Sequence, residues 1–214
     1  MKYKAAIFDL DGTLLDTLMD LTLSVNYVLK EYGEGQRSVD QVRAAIGNGN
    51  RRLIALSVSD GENNPDFEKM YNAYVKHYRQ NDTVKTRPFD GIMEVLGYCR
   101  DSGIKTGIVS NKVQIATEHL SKYYFSGYID ITLGDDENRP RKPAPDMGIL
   151  ALDMLGIKAS EALYIGDSPV DSDFARAVGM DCLLVSYGFN DIKAIQDKPC
   201  IAIAKSPLEI LNYL

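Results

Sequence analysis

Hydrophobic positions along this chain follow two rhythms. Residues 3–8 form a short apolar run of the length a buried strand needs. From residue 17 to about residue 83 the apolar positions instead return at three- and four-residue steps. Leu18, Leu21, Val25, Val28, Leu29 and Tyr32 predict a helix over 17–32, closed by Gly33-Glu34-Gly35. Ser38 followed by Gln41 carries the capping-box pattern of a second helix. Residues 46–54, Ile-Gly-Asn-Gly-Asn-Arg-Arg-Leu-Ile, interrupt with two glycines and two arginines before another short helix, and 59–64 read as a loop. Phe67, Met70, Tyr71, Tyr74, Val75 and Tyr78 then make the clearest amphipathic stripe in the chain, its tyrosines read as a packed face.

Beyond residue 84 the rhythm alternates. Helical spacing over 92–99, 113–123, 145–155 and 170–178 is separated by strand-like runs at 105–109, 128–133, 162–165, 181–186 and 201–204, with a last helix from 207. Strands alternating with helices predict an α/β fold: a Rossmann-like parallel sheet covered by helices on both faces through right-handed crossovers. The all-helical block then becomes a cap domain inserted after the first strand. The expected division is a core of residues 1–16 and 84–214 and a cap of 17–83, joined by two short connections and placed where a lid would sit.

Composition narrows the function classes. A net charge of −6 argues against a general nucleic-acid or membrane-surface binder, though not against a small anionic substrate. The three cysteines, Cys99, Cys182 and Cys200, have no metal-ligand spacing and read as reduced thiols. Two histidines far apart in sequence disfavour a zinc centre. The N-terminal stretch lacks a signal-peptide pattern and no run reaches transmembrane length, so a cytoplasmic protein is expected.

The candidate chemistry stands at predicted strand ends. Asp9-Leu10-Asp11-Gly12-Thr13 follows the first strand, Ser110-Asn111-Lys112 the second, Lys142-Pro143 lies in the loop after the third, and Gly166-Asp167-Ser168-Pro169-Val170-Asp171 follows the fourth. Each has a plain reading by itself: a surface turn, a helix N-cap, a solvated lysine, an acidic turn. Together they place Asp9, Asp11, Asp167 and Asp171 at the mouth of one sheet, where four carboxylates repel unless a cation lies among them. Oxygen ligands without histidine or cysteine point to a hard ion, Mg²⁺ where phosphate is handled. A lysine and a hydroxyl facing the same cleft would bind phosphate oxygens. In that setting one aspartate can attack phosphorus and a second can serve as acid and base.

These four segments resemble the four motifs of the haloacid dehalogenase superfamily of phosphohydrolases. The resemblance implies that Asp9 is the nucleophile and Asp11 the general acid/base, which also offers Mg²⁺ its backbone carbonyl. It implies that Thr13 supports the nucleophile loop, that Ser110 and the Asn111 backbone bind the phosphoryl group, and that Lys142 neutralises it. Asp167 would be the direct carboxylate ligand of the metal, with Asp9, and Asp171 would orient that shell. The insert and the runs around residues 9–17, 46–49, 87–91 and 142–145 are similar to the phosphoglycolate phosphatase branch, in which Arg51 or Arg52 either reaches the substrate or stays a solvated helix charge. The expected activity is Mg²⁺-dependent hydrolysis of a small phosphomonoester by a monomer or homodimer. The alternatives are a β-phosphoglucomutase-like mutase, a pyrophosphatase or nucleotidase, and a non-catalytic binding module. The intact set of motif residues disfavours the last.

Overall fold

A computed structural model describes residues 2–47, 49–136 and 138–214, so Asn48 of the Ile-Gly-Asn-Gly segment lies outside the described residues. The chain forms two compact units, one of Met1–Asp16 with Pro88–Leu214 and one of Thr17–Arg87.

The first unit holds six parallel strands: β1 (Ala5–Phe8), β2 (Lys105–Val113), β3 (Ile131–Asp135), β4 (Ala162–Gly166), β5 (Asp181–Val185) and β6 (Ala202–Ala204). They lie side by side in the order β3-β2-β1-β4-β5-β6, every neighbouring pair parallel. This is the doubly wound order, in which connections leave β1 and β4 in opposite directions and open a crevice at their carboxyl ends. Successive side chains of β1 are buried in different layers: Ala6 and Phe8 join Leu163, Ile165, Leu183 and Val185, whereas Ala5 and Ile7 join Tyr164, Cys182 and Leu184. Helices cover both layers, α5 (Ile92–Asp101) and α6 (Gln114–Phe125) the first, α7 (Asp146–Leu155) and α8 (Pro169–Val178) the second. Burial on both faces explains why these strands read as largely apolar runs rather than as apolar-polar alternation.

Local differences from the sequence expectation have local causes. β2 runs on to Val113 because its pairing with β3 shifts register between Val109 and Val113, so the polar run Ser110-Asn111-Lys112 stays in the strand. The expected helix from 207 is a 3₁₀ segment, Pro207–Asn212. A one-turn helix, α9 (Ile192–Ile195), follows an Asp191 cap that the apolar pattern did not show.

The second unit contains α1 (Leu18–Glu31), α2 (Val39–Arg43), α3 (Gly49–Ser57) and α4 (Phe67–Asn81). Ser38 and Gln41 form the full capping box. Leu21, Val25, Val28 and Leu29 of α1 are buried with Leu53 and Ile54 of α3 and with Phe67, Met70, Tyr74 and Tyr78 of α4. The buried Asp20 carboxylate accepts from Lys85 N (2.8 Å), Thr86 N (2.8 Å) and Thr86 Oγ1 (2.9 Å). That knot ties residues 85–86 to α1, and the chain leaves this unit after Arg87 rather than after residue 83. Arg51 is ion-paired to Glu68 (2.6 Å) and Glu62 (3.3 Å) and lies over the rings of Phe67 and Tyr71, whereas Arg52 is exposed. Cys99, Cys182 and Cys200 are free thiols. No helix among the described residues is long and apolar enough to cross a membrane.

Candidate active site

The site is built at the carboxyl ends of β1, β2 and β4. Asp9 follows Phe8 directly, and its N–H donates to Ile165 O of β4 (2.9 Å), so the last pairing of the sheet fixes its position. The chain then turns sharply: Leu10 O accepts from the N–H groups of Thr13, Leu14 and Leu15, at 3.3, 3.0 and 3.0 Å. Buried Leu10 and Leu14 anchor the turn in the core. Gly12 is required there twice over, because its φ is +82° and a Cβ would stand 2.5 Å from Asp167 Oδ2. Thr13 is fully buried, and its Oγ1 has no hydrogen-bond partner among the described residues.

Lys142 is the hub of the charge arrangement. Its side chain is 2% exposed, and its ammonium lies 3.0 Å from Asp9 Oδ1 and 2.8 Å from Asp171 Oδ1. The contact with Asp9 has ion-pair distance without hydrogen-bond alignment, whereas those with Asp171 and with Tyr164 OH (2.8 Å) are hydrogen bonds. The lysine main chain is clamped by one side chain. Asn111 Nδ2 donates to Lys142 O (3.1 Å), and Lys142 N donates to Asn111 Oδ1 (2.8 Å). Asn111 therefore presents its side chain to the Lys142 loop. Ser110 beside it is 2% exposed, and its Oγ accepts from Lys112 N (3.3 Å).

Asp167 and Asp171 belong to the start of α8. Ser168 caps that helix with Pro169 behind it, and Asp171 closes a capping box. Asp171 is filled by three donors, Ser168 N (3.0 Å) and Oγ (2.6 Å) on Oδ2 and Lys142 Nζ on Oδ1, with the Tyr164 OH 3.2 Å from Oδ1. Asp167 Oδ2 accepts from Phe189 N (2.7 Å) and Asn190 Nδ2 (3.3 Å), in the loop after β5. Gly188 permits that approach, since a Cβ there would collide with Gly12 O and Asp167.

Asp11 goes elsewhere. Its carboxylate is held by Lys112 Nζ at 3.1 and 3.0 Å, one contact to each oxygen. Of the residues expected from sequence, the structure thus gathers Asp9, Asp167, Asp171 and Lys142 into one cluster with Asn111 behind it. It turns the Asp11 side chain to a second lysine.

Electrostatics follow from burial. Burial first, then repulsion from Asp171 and Asp11, raises the Asp9 carboxyl to about 6 against the pull of Lys142. Burial, then Asp171 and Asp9, raises Asp167 to about 7 despite the Phe189 and Asn190 donors. Burial works against the Lys142 ammonium, but Asp171 and Asp9 more than offset it and hold the lysine above its usual range. Asp9, Asp167 and Asp171 each offer a carboxylate oxygen within 4.8 Å of the others. An all-oxygen, doubly strained acidic group of this kind fits a hard divalent cation, which would relieve the repulsion that raises Asp9 and Asp167.

Three contributors have no role in the sequence reading. Lys112 stands beside Ser110-Asn111 in the same run, but nothing in the spacing says where its ammonium goes. Tyr164 supplies the one hydroxyl in the apolar run of β4, and its OH donates to Val109 O (3.0 Å) while meeting Lys142 and Asp171. The loop at Phe189 and Asn190 reaches Asp167 only because β5 lies next to β4. Tyr164→Phe is expected to lower stability by about 1–2 kcal/mol, because the Val109 carbonyl loses its buried donor and Lys142 a partner. Chemical denaturation of the two proteins measures this directly.

The chain matches a family model described as haloacid dehalogenase-like hydrolase over residues 6–185. It is 33% identical to the phosphoglycolate phosphatase of Nitrosospira multiformis over 99% of this chain and 95% of that protein. It is 30% identical to the N-acetylmuramic acid 6-phosphate phosphatase of Pseudomonas aeruginosa over 88% and 84% of the two chains. A crystal structure from Lactobacillus delbrueckii subsp. bulgaricus, of a protein provisionally named phosphoglycolate phosphatase, superposes with a TM-score of 0.91. It shares 31% identity and covers 100% of this chain and 98% of that one.

Proposed function

Because the chain belongs to the haloacid dehalogenase-like hydrolases and is a phosphatase, we propose that it hydrolyses a small phosphomonoester of the 2-phosphoglycolate type with Mg²⁺ as its metal. The observation that carries this reading is the buried Lys142 ammonium, set against Asp9 while Asp9 and Asp167 crowd one another beside it. A lone carboxylate cluster would serve a cation; a cationic hub at its edge adds a place for an anion.

Asp9 is the nucleophile. Its carboxylate attacks phosphorus, the bond from phosphorus to the leaving oxygen breaks, and an aspartyl phosphate forms. Asp11 gives its proton to the departing alkoxide, then takes one from the water that attacks the same phosphorus, returning Asp9 and inorganic phosphate. Lys142 and the Ser110 hydroxyl hold phosphoryl oxygens as charge develops on them. Thr13 keeps the nucleophile loop in place through its buried turn. Asp9, Asp167 and the Asp11 carbonyl would hold Mg²⁺, with Asp171 orienting that group through Ser168 and Lys142. When bound, the ion neutralises charge on the phosphoryl group and lets Asp9 and Asp167 stay ionised. The helical unit of residues 17–87 acts as the cap that chooses among substrates, and the protein works in the cytoplasm as a monomer or homodimer. Three free cysteines support the reduced compartment.

The test is a phosphate-release screen of purified protein with Mg²⁺ against phosphorylated metabolites. 2-Phosphoglycolate is expected to lead, with N-acetylmuramic acid 6-phosphate, pyrophosphate and nucleoside monophosphates well behind. Isomerisation of a sugar phosphate without phosphate release would place the protein among the mutases instead. No turnover of any ester would refute the assignment.

A further inference from the structure

No step of the hydrolysis uses the Tyr164 hydroxyl, yet it touches both arms of the phosphoryl site. The residue lies in β4 and is fully buried. Its ring is met edge-on by Phe174, with centroids 4.9 Å apart. Ile7 of β1 pairs with Tyr164 on one side and with Gly107 of β2 on the other. The hydroxyl therefore reaches across β1 to the Val109 carbonyl of β2 (3.0 Å), directly ahead of Ser110. On its other side lies the Lys142 ammonium.

Donors and acceptors fix what this oxygen does for Lys142. A phenol has one proton, and the Val109 carbonyl is its nearer acceptor, with Asp171 Oδ1 at 3.2 Å. Its lone pairs are then left for the ammonium, which donates to it at 2.8 Å. An ammonium carries three N–H groups. Tyr164 takes one and Asp171 Oδ1 a second, also at 2.8 Å. The third is left on the side of Asp9 Oδ1, 3.0 Å away and out of hydrogen-bond alignment. A phosphoryl group passing to Asp9 brings its oxygens to that side, where the remaining N–H can align on one of them. The phenol's lack of charge matters as much as its place. A carboxylate there would divide the ammonium's charge again and deepen the crowding of Asp9 and Asp167. A neutral acceptor holds the ammonium in line and leaves its charge for the phosphoryl oxygens.

We propose that Tyr164 is a positioning residue for phosphoryl transfer: its hydroxyl, anchored on the Val109 carbonyl, aims the Lys142 ammonium at the oxygens on which charge develops. This rests on the reading of Lys142 as the group that holds those oxygens. Aim of this kind serves the transition state more than bound product, which separates Tyr164 from a core residue that only satisfies a carbonyl.

Tyr164→Phe keeps the ring and removes the oxygen. The substrate is 2-phosphoglycolate or p-nitrophenyl phosphate with Mg²⁺, whichever the wild type hydrolyses faster. With it, kcat is expected to fall about 10–30-fold while KM stays within about threefold. Calorimetry gives a readout apart from turnover, using orthovanadate, which takes the five-coordinate shape of the transferring group. Affinity for orthovanadate should fall about tenfold or more, and affinity for inorganic phosphate less than about threefold. Phe174→Leu loosens the same ring without touching the hydroxyl, and should lower stability yet leave kcat and both affinities within about twofold. Circular dichroism checks folding, and Tyr164→Met, which also lacks the oxygen, replaces the phenylalanine variant if that one does not fold. A role confined to packing and to the Val109 carbonyl predicts a less stable protein with unchanged kcat and affinities, and that result overturns the proposal. So does a rise in KM at unchanged kcat, an equal loss for vanadate and phosphate, or a Phe174→Leu variant as slow as Tyr164→Phe. Each of these leaves the phosphatase reading standing. No hydrolysis of either ester by the wild type would instead strike the reading beneath it, and the proposal with it.

Discussion

Asp9→Asn is expected to lower kcat by about 10⁴-fold or more while the protein stays folded. The amide fills the same space at the end of β1 and the Asp9 N–H still donates to Ile165 O, so the sheet has no reason to change. It is a poor nucleophile toward phosphorus, and no other carboxylate can replace it. Asp167 is turned to Phe189 and Asn190, Asp171 is filled by three donors, and Asp11 is paired with Lys112. The neighbouring position separates the two halves of the reaction. In Asp11→Asn an acid-quenched sample should contain a hydroxylamine-labile phosphoryl adduct on Asp9, because the attacking water has lost its base. Activity in Asp9→Asn at a few per cent of wild type, with deamidation excluded by mass spectrometry, would take Asp9 out of the nucleophile's role.

The second large effect runs against the usual behaviour of a catalytic carboxylate. Asp167→Asn is expected to make the metal-free protein more stable at about pH 8, by about 2–4 kcal/mol, while abolishing stabilisation by Mg²⁺. The sign follows from the direction of the shifts. In the metal-free protein, burial and then repulsion from neighbouring carboxylates, Asp171 first, raise Asp9 to about 6 and Asp167 to about 7, above the 3.8 of an unconstrained aspartate. Between those values the folded state binds more protons than the unfolded chain, so stability falls as pH rises. The contribution is fully present below about pH 4 and is lost as pH climbs through about 6 to 7. Asparagine removes the Asp167 charge and with it that residue's share of the loss. Mg²⁺ acts the other way, binding the ionised carboxylates and stabilising the wild type most where the metal-free protein is weakest. Thermal melts of wild type and Asp167→Asn, with chelator and with millimolar Mg²⁺ from about pH 5 to about pH 8, isolate this from every other titrating group. A wild-type Tm at about pH 8 that ignores Mg²⁺ would remove the acidic cluster as a metal site.

That catalytic carboxylates destabilise the fold they sit in has a simple origin. The sheet brings the ends of β1 and β4 together whatever stands there, and the sequence places an aspartate at each. The helix start at Ser168 then adds Asp171, whose charge is held by Ser168 and Lys142 but still raises both neighbours. Asp9 and Asp167 are left as the pair that function keeps and folding does not favour.

Much of this protein is determined by its sequence alone, because the interactions concerned are local or periodic. Largely apolar runs separated by helical spacing dictate a parallel sheet buried on both faces, and β1 to β6 appear where the runs stand, within a few residues. The capping box of Ser38 and Gln41 and the start of α8 at Ser168 need no more than four consecutive residues to form. The residues at the strand ends were legible for the same reason: a strand's end is where the apolar run stops. Partnership was not legible. Asp9, Asp11, Asp167 and Asp171 look alike in sequence, yet only the folded chain separates a crowded pair from one saturated by donors and another held by a lysine. Tyr164 stands within one strand run and Asn190 beyond the end of another, and strand order brings one under Lys142 and the other onto Asp167. Arg51, a candidate for the substrate, is taken by Glu62 and Glu68. Period and capping are carried by residues within a turn or two of each other, whereas these pairings join residues as far as a hundred positions apart and more, as in Asp11 with Lys112 and Asp9 with Lys142. Only closing the sheet sets them within 3 Å of one another, and there burial turns a list of charged residues into a set with distinct tasks.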